Sequence, residues 1–284
     1  MENFIDAFRV PVGIFQARRL LKDFGAEVVF SKGGYVSVPV VLAARMLHIP
    51  VVVHESDVTV GLANKICLKF AKKICLSFEE TRSYLSKKQV KRAEVTGSPI
   101  RGEILDGDSE KGYQFTGLDK HRPVILVMGG SLGAVQVNEL TRVSLDELLK
   151  KFQIVHITGR GKLDIGVHKK GYKQYEYLDE QLKDVYAMSD MVISRGGANS
   201  LFELGMLKKK VLVIPLGGHA SRGEQVENAR VFVRDFGWSM ISGEVSREDF
   251  INNVLLTFNN SVNEEAKVKD GTGAVLKCII NAVR

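Results

Sequence analysis

Short apolar runs rich in β-branched residues recur along the chain, at residues 28–30, 51–54, 73–76, 124–128, 153–157, 191–194 and 211–215. Runs of this kind, without polar alternation, are the pattern of strands covered on both faces. Between them lie stretches with helical periodicity, at residues 13–24, 38–47, 64–73, 135–151 and 199–207, and a last one over 264–282 that Gly271 and Gly273 weaken. Ser77 with Glu80 has the spacing of a capping box and predicts one more helix start. The rhythm is βαβα, so the expected class is α/β with parallel sheets. It breaks near residues 94–117, where Gly97, Ser98, Pro99, Arg101 and Gly102 lead into a polar stretch. We read that stretch as a crossing between domains.

A chain of 284 residues with 45% apolar and 26% charged residues has material for two ordinary cores and is neither disordered nor fibrous. The formal net charge of +7 predicts a positive face, which suits nucleic acid, an anionic membrane or a phosphorylated ligand equally. No basic stripe interleaved with aromatics and no helix-turn-helix, zinc-finger or RNP-type signature is present, so no nucleic-acid partner is expected. Cys67, Cys75 and Cys278 form no CxxC pair, which predicts buried reduced thiols rather than a disulfide framework or a zinc site. No signal peptide opens the chain and no apolar run approaches the roughly 20 residues that span a bilayer, so membrane contact is expected to be peripheral.

Three of the strand ends carry polar, glycine-bearing loops. The run 124–128 enters Gly129-Gly130-Ser131-Leu132-Gly133-Ala134; the run 191–194 enters Arg195-Gly196-Gly197-Ala198-Asn199-Ser200 and a helix bearing Glu203; the run 211–215 enters Gly217-Gly218-His219, Ser221-Arg222-Gly223 and Glu224-Gln225. Glycine lets backbone amides and a helix N-terminus approach an anion, and loops at the carboxyl ends of parallel strands converge on one crevice. Neither GxGxxG nor the Walker spacing is present, which disfavours dinucleotide and P-loop chemistry. Glu203, one turn into its helix, is placed either to accept a ribose diol or to pack as an ordinary carboxylate. In the first half, Lys32-Gly33-Gly34 and His54-Glu55-Ser56-Asp57 follow strands, and His54 reads equally as an acid–base group or a structural histidine.

Taken in order, Gly33-Gly34-Tyr35-Val36-Ser37-Val38-Pro39, His54-Glu55-Ser56-Asp57, Gly61-Leu62-Ala63-Asn64-Lys65, Gly97-Ser98-Pro99-Ile100-Arg101, Gly129 to Ala134 and Ser194-Arg195-Gly196-Gly197-Ala198 resemble the MurG family of GT-B glycosyltransferases. The resemblance implies two Rossmann-like domains with parallel sheets, the N-terminal one incomplete. It places an acceptor and membrane-side domain at 1–101, with the segment 265–284 packing back on it, and a donor domain at 102–264. The implied activity is inverting transfer of N-acetylglucosamine from UDP-N-acetylglucosamine to lipid I (undecaprenyl-pyrophosphoryl-MurNAc-pentapeptide), forming lipid II on the cytoplasmic face of the bacterial membrane. By matching positions, Arg101 and Ser131 would meet the diphosphate or sugar, and Leu178 would frame the uracil. Arg195 and Gly197, Ala198, Asn199, Ser200, Leu201 and Phe202 would wrap the nucleotide, Glu203 would take the ribose, and Glu224 and Gln225 would reach the sugar hydroxyls. Asn64 and the 54–57 loop would line the acceptor side, with His54, Glu55 and Asp57 as the catalytic candidates.

Members of that family open with a strand and a glycine loop of the form GGTGGH, and none precedes Met1 here. The expectation is therefore a chain that keeps donor binding while transfer is impaired, or one whose sheet is completed by a partner segment; the alternative is a non-catalytic or split-subunit UDP-sugar-binding protein. Asp57 stands where Asn is common, and Ser56 where Gln is common. No DxD-like pair sits beside the expected pyrophosphate, so no metal and no cofactor are expected, the charge being offset by helix N-termini and Arg101. Phe4, Ile5, Phe8, Val12, Ile14 and Phe15 beside Arg9, Arg18, Arg19 and Lys22 predict either a helix docked on the sheet or a face for anionic lipid.

Overall fold

The computed structural model describes residues 2–129, 134–216 and 223–283, with the backbone alone for residues 2–10. It divides into two compact units, Met1–Ile100 with Lys269–Arg284, and Arg101–Val268.

The first unit opens with helix α1 (Glu2–Asp23) and then runs β1 (Val29–Ser31), α2 (Ser37–Met46), β2 (Val51–Glu55), α3 (Leu62–Cys67), β3 (Lys73–Leu76), α4 (Lys87–Val90) and β4 (Ala93–Val95). The four strands pair in parallel in the order β1-β2-β3-β4. Val51, Val53, Ile74 and Leu76 point to one face and pack with Val41 and Ala44 of α2 and with Cys67 and Leu68; Val52 and Cys75 point to the other, against Val275, Cys278 and Ala282 of the C-terminal helix Thr272–Val283. Continuous apolar strands are required because both faces are covered.

Several expected elements shift. α1 is longer than 13–24 and continues through Pro11, which lacks only its own amide donor. The basic helix expected over 64–73 stops at Cys67, since Lys73 is already in β3. Ser77 does not cap a helix: it is buried at the end of β3, with Oγ 3.4 Å from His54 Nε2. The capping box of this region is Ser86 with Gln89. The last helix starts at Thr272, where the Asp270 carboxylate accepts from the Thr272 amide and hydroxyl.

The second unit contains α5 (Ser109–Thr116), β5 (Val124–Met128), α6 (Val135–Leu148), β6 (Gln153–Ile157), β7 (Tyr172–Tyr175), α7 (Leu182–Met188), β8 (Met191–Ser194), α8 (Ala198–Met206), β9 (Lys210–Val213), α9 (Glu224–Phe236), β10 (Ser239–Met240) and α10 (Arg247–Asn259). Its six strands are parallel in the order β10-β9-β8-β5-β6-β7. The polar stretch 94–117 is not linker throughout: it holds β4, a 3₁₀ turn at Gly102–Asp106 and α5, which Asp108 caps. Ile125, Val127, Ile154, Ile193 and Leu212 pack under α6 and α10 through Val137, Leu145, Phe250 and Val254. The chain leaves β5 toward β6 on one side and later returns to β8 on the other. That reversal opens a crevice at the carboxyl ends of β5 and β8.

No described helix is long and apolar enough to cross a membrane. All three cysteines are free and buried.

Candidate functional site

The crevice of the second unit collects three helices, α6, α8 and α9, that follow the three glycine-bearing loops. Their cap residues, Ala134, Gly197 and Gly223, supply no side-chain cap among the described residues, whereas α5 and α10 in the same unit are capped by Asp108 and Ser246. A helix N-terminus carries a partial positive charge that favours an anion beside it.

Glu203 stands on α8 one turn from its start. Its carboxylate takes a bidentate contact from Arg101, at 3.0 Å to Nε and 3.3 Å to Nη2. The Glu203 side chain is 11% exposed and that of Arg101 52%, so the carboxylate is held from inside the fold and the guanidinium reaches outward. Beneath them lies Tyr186 of α7, fully buried, its hydroxyl 3.3 Å from Met128 Sδ at the end of β5. Burial, and after it the neighbouring Glu203 charge, hold this phenol well above the ordinary tyrosine range.

The loop after β8 is bound to the start of α9. Gln225 Oε1 accepts from the Leu216 amide at 3.0 Å and from Arg195 Nε at 3.3 Å, and Asn228 Nδ2 donates to the Gly196 carbonyl at 3.2 Å. A Cβ on Gly196 would sit 2.2 Å from the Gln225 carbonyl oxygen, so the two loops touch only because residue 196 has no side chain. Burial lowers the Arg195 pKa, yet its guanidinium remains a cation facing Gln225.

The expected donor residues divide by what they expose. Leu178, Ala198, Leu201 and Phe202 are buried, and Phe202 packs edge-on against Phe232 with ring centroids 5.4 Å apart. Their side chains serve the core. Asn199 is exposed, and Gly197, Ser200, Glu224 and Gln225 are half-buried. Ser131, His219, Ser221 and Arg222 lie outside the described residues. A cavity of about 610 Å³ beside Arg101 is lined by Glu103, Ile104 and residues 179–184. Tyr186 and Asn228 were not singled out from the sequence. A tyrosine and an asparagine at helical spacing carry no local sign of where they point.

In the first unit, His54 and Glu55 end β2. The His54 ring has no exposed surface; Nε2 lies 3.2 Å from the Gly97 carbonyl and Nδ1 lies 3.3 Å from Ser56 Oγ. Burial pushes its pKa down to about 4. Glu55 accepts from the amides of Asp57 and Gly61 and from Asn64 Nδ2 at 2.8 Å, and burial raises its pKa. These two residues therefore clamp the 55–61 loop, and the acid–base role expected of His54 has no accessible ring nitrogen to rest on. Asn64, expected to line the acceptor side, is buried against Gly33, whose φ of +90° makes the tight turn after β1. Asn64 Oδ1 is buried and has no hydrogen-bond partner among the described residues. Asp57 is half-buried at the tip of the same loop. Among the described residues, no group of three His, Cys, Asp or Glu is arranged to hold a metal ion.

The model of the glycosyltransferase family 28 C-terminal domain matches residues 124–277, and that of the family's N-terminal domain matches residues 1–76. The chain belongs to glycosyltransferase family 28. Within the family it is 50% identical over 257 residues to a protein of Lachnospira eligens, covering 90% of this chain and 71% of that one. It is 50% identical over 232 residues to one of Staphylococcus carnosus, covering 82% and 63% respectively. It is 46% identical over 265 residues to one of Staphylococcus aureus, covering 93% and 72%. All three are named UDP-N-acetylglucosamine--N-acetylmuramyl-(pentapeptide) pyrophosphoryl-undecaprenol N-acetylglucosamine transferase. The family 28 chain thus spans between 63% and 72% of the length of these relatives. Among solved structures, it superposes on Acinetobacter baumannii MurG with a TM-score of 0.70 at 24% identity, over 97% of this chain and 79% of that one. It also superposes on a UDP-GlcNAc 2-epimerase of Neisseria meningitidis bound to UDP-GlcNAc, with a TM-score of 0.72 at 14% identity, over 96% and 81%. At these identities the two structures establish the GT-B architecture of paired Rossmann-like sheets and nothing finer.

Proposed function

We propose that the chain binds UDP-N-acetylglucosamine in the crevice of its second unit and transfers N-acetylglucosamine to lipid I, the activity that its family 28 relatives are named for. The observation that carries the reading is the geometry around Glu203: an anchored carboxylate one turn inside α8, with the N-termini of α6, α8 and α9 following the neighbouring loops. The carboxylate accepts both hydroxyls of the ribose. The helix amides and Arg101 stabilise the diphosphate as it departs, when its charge is greatest. The backbone at Leu178 meets the uracil, while Glu224 and Gln225 orient the sugar. Arg101 is then shared between Glu203 and the phosphates, an exchange its half-exposed side chain permits.

On the acceptor side, Asp57, the less buried of the two carboxylates in the 54–57 loop, serves as the base for the attacking hydroxyl, with His54, Glu55 and Asn64 holding the loop. The reaction inverts the anomeric centre in one displacement: the acceptor oxygen bonds to C1, the C1–phosphate oxygen bond breaks, and the hydroxyl proton passes to the base. The exposed apolar side chains of Val12, Phe15, Leu20 and Phe24, beside Arg18, Arg19 and Lys22, dock the first unit on an anionic bilayer where the lipid-linked acceptor resides.

The test is transfer from UDP-N-acetylglucosamine to a lipid I analogue by the purified chain, run beside donor binding by calorimetry. Transfer abolished by Glu203→Ala supports the reading. Donor binding without transfer favours the second reading, a UDP-sugar-binding protein, and no binding removes both. For the membrane, co-sedimentation with phosphatidylglycerol vesicles is expected, falling with added salt and with Phe15→Asp; sedimentation unchanged by either rejects the docking face.

A further inference from the structure

A buried hydrogen-bonded chain in the second unit joins three elements without touching the residues assigned above. His156 on β6 has no exposed surface, and both ring nitrogens are partnered: Nδ1 lies 2.9 Å from the Tyr172 hydroxyl on β7, and Nε2 lies 3.0 Å from Asn138 Oδ1 on α6. Asn138 Nδ2 donates to the Thr158 carbonyl at 2.9 Å. A carbonyl only accepts, so this contact settles which end of the Asn138 amide is the donor. Oδ1 must then receive the Nε2–H of His156. In the neutral ring that its burial favours, Nδ1 accepts from the Tyr172 hydroxyl, and the direction then runs one way along the chain. The depth of burial, which pushes the His156 pKa down to about 3, agrees with that state.

Asn138 belongs to the opening of α6. Its own amide bonds the Ala134 carbonyl at 2.9 Å, so its side chain fastens the first turn of the helix to the end of β6. Its cap residue, Ala134, has no polar side chain to hold that turn. A helix N-terminus that drifts by a fraction of an ångström loses alignment with an anion, because hydrogen bonds to phosphate are short and directional.

We propose that the chain Tyr172–His156–Asn138 positions the N-terminal turn of α6 for the diphosphate of the donor, which makes His156 a positioning residue for UDP-sugar binding. The proposal rests on the donor site described under Proposed function. It distinguishes these buried residues from ordinary core polar groups, because their loss weakens recognition of the phosphates specifically.

The experiment measures affinities for UDP-N-acetylglucosamine and for uridine, which lacks the phosphates, in the parent and in His156→Phe, His156→Gln and Tyr172→Phe. Phenylalanine keeps the ring volume but removes the donor to Asn138 Oδ1 and the acceptor of the Tyr172 hydroxyl; glutamine retains a donor toward Asn138. His156→Phe is expected to weaken UDP-N-acetylglucosamine about tenfold, the size of one or two lost buried hydrogen bonds, and to leave uridine unchanged. His156→Gln and Tyr172→Phe are expected to weaken it about threefold or less. In transfer assays the donor KM rises while kcat at saturating donor and the acceptor KM hold. Should His156→Phe fail to fold, the two milder variants carry the test. Folded variants with the parent's donor affinity overturn the proposal, as does an equal loss of uridine and UDP-sugar. A parent that binds no UDP-sugar overturns the donor site itself and this proposal with it, an outcome distinct from variants that bind as well as a binding parent.

Discussion

Glu203 and the two buried histidines show how single side chains carry measurable consequences. Replacing Glu203 with Gln keeps its shape but removes the charge that Arg101 holds and weakens both hydrogen bonds to a ribose. Donor KM is expected to rise by about tenfold or more, since a charged hydrogen bond contributes roughly 1.5–3 kcal/mol, while the acceptor KM stays unchanged. Steady-state kinetics in both substrates check this. His54 and His156 have pKa values pushed from 6.5 down to about 4 and about 3 by burial. A histidine with a lowered folded pKa contributes stability that is fully present above its unfolded value and is lost as pH falls toward the folded one. Stability to urea should therefore be flat near neutrality and decline from about pH 6.5 downward, each buried histidine adding up to one proton to the uptake on unfolding. His156→Gln should reduce that slope; an unchanged pH profile would show that the ring is not the group being titrated.

At the scale of elements, the start of α9 and the loop after β8 form one contact surface. Gly196→Ala places a methyl group where the Gln225 carbonyl stands, 2.2 Å away, and the backbone must move. The expected cost is about 1–3 kcal/mol of stability, together with weaker donor binding because Gln225 and Arg195 move with it. Thermal melting and calorimetry on the same preparation test both. The helices also show what periodicity conveys. α2, α6 and α8 lie within a few residues of where their apolar spacing puts them, because each packs one stripe on a sheet. α5, α7, α9 and α10 were not expected from the pattern: α5 and α7 are short, whereas α9 is clearly amphipathic, burying Ala229, Phe232 and Phe236 on one face, and α10 buries Phe250 and Val254. β7 and β10 were missed because Tyr-Lys-Gln-Tyr and Ser-Met are edge strands without a β-branched apolar run.

At the scale of the whole molecule, the chain's last segment belongs to the sheet near its beginning. Val275, Cys278 and Ala282 cover the face of the first sheet that presents Val52 and Cys75. Deleting residues 272–284 should expose that face and accelerate amide exchange in β2 and β3, while β5, β6, β8 and β9 keep their protection. Uniform loss of protection through both sheets would contradict the division into two units.

The sequence by itself determined the α/β class, most of the strands, and the positions of the glycine-bearing loops at strand ends, because strand burial and helix amphipathicity are written as local periodicities. It also carried the family, since ordered short motifs survive as residue identities. Tertiary structure alone decided that Tyr186 lies under Glu203, that Asn228 holds Gly196, and that His54 and Asn64 face inward. Those facts depend on which elements become neighbours within each sheet, β2 beside β3 in the first and β8 between β5 and β9 in the second, and such pairings leave no trace in the spacing of residues along the chain.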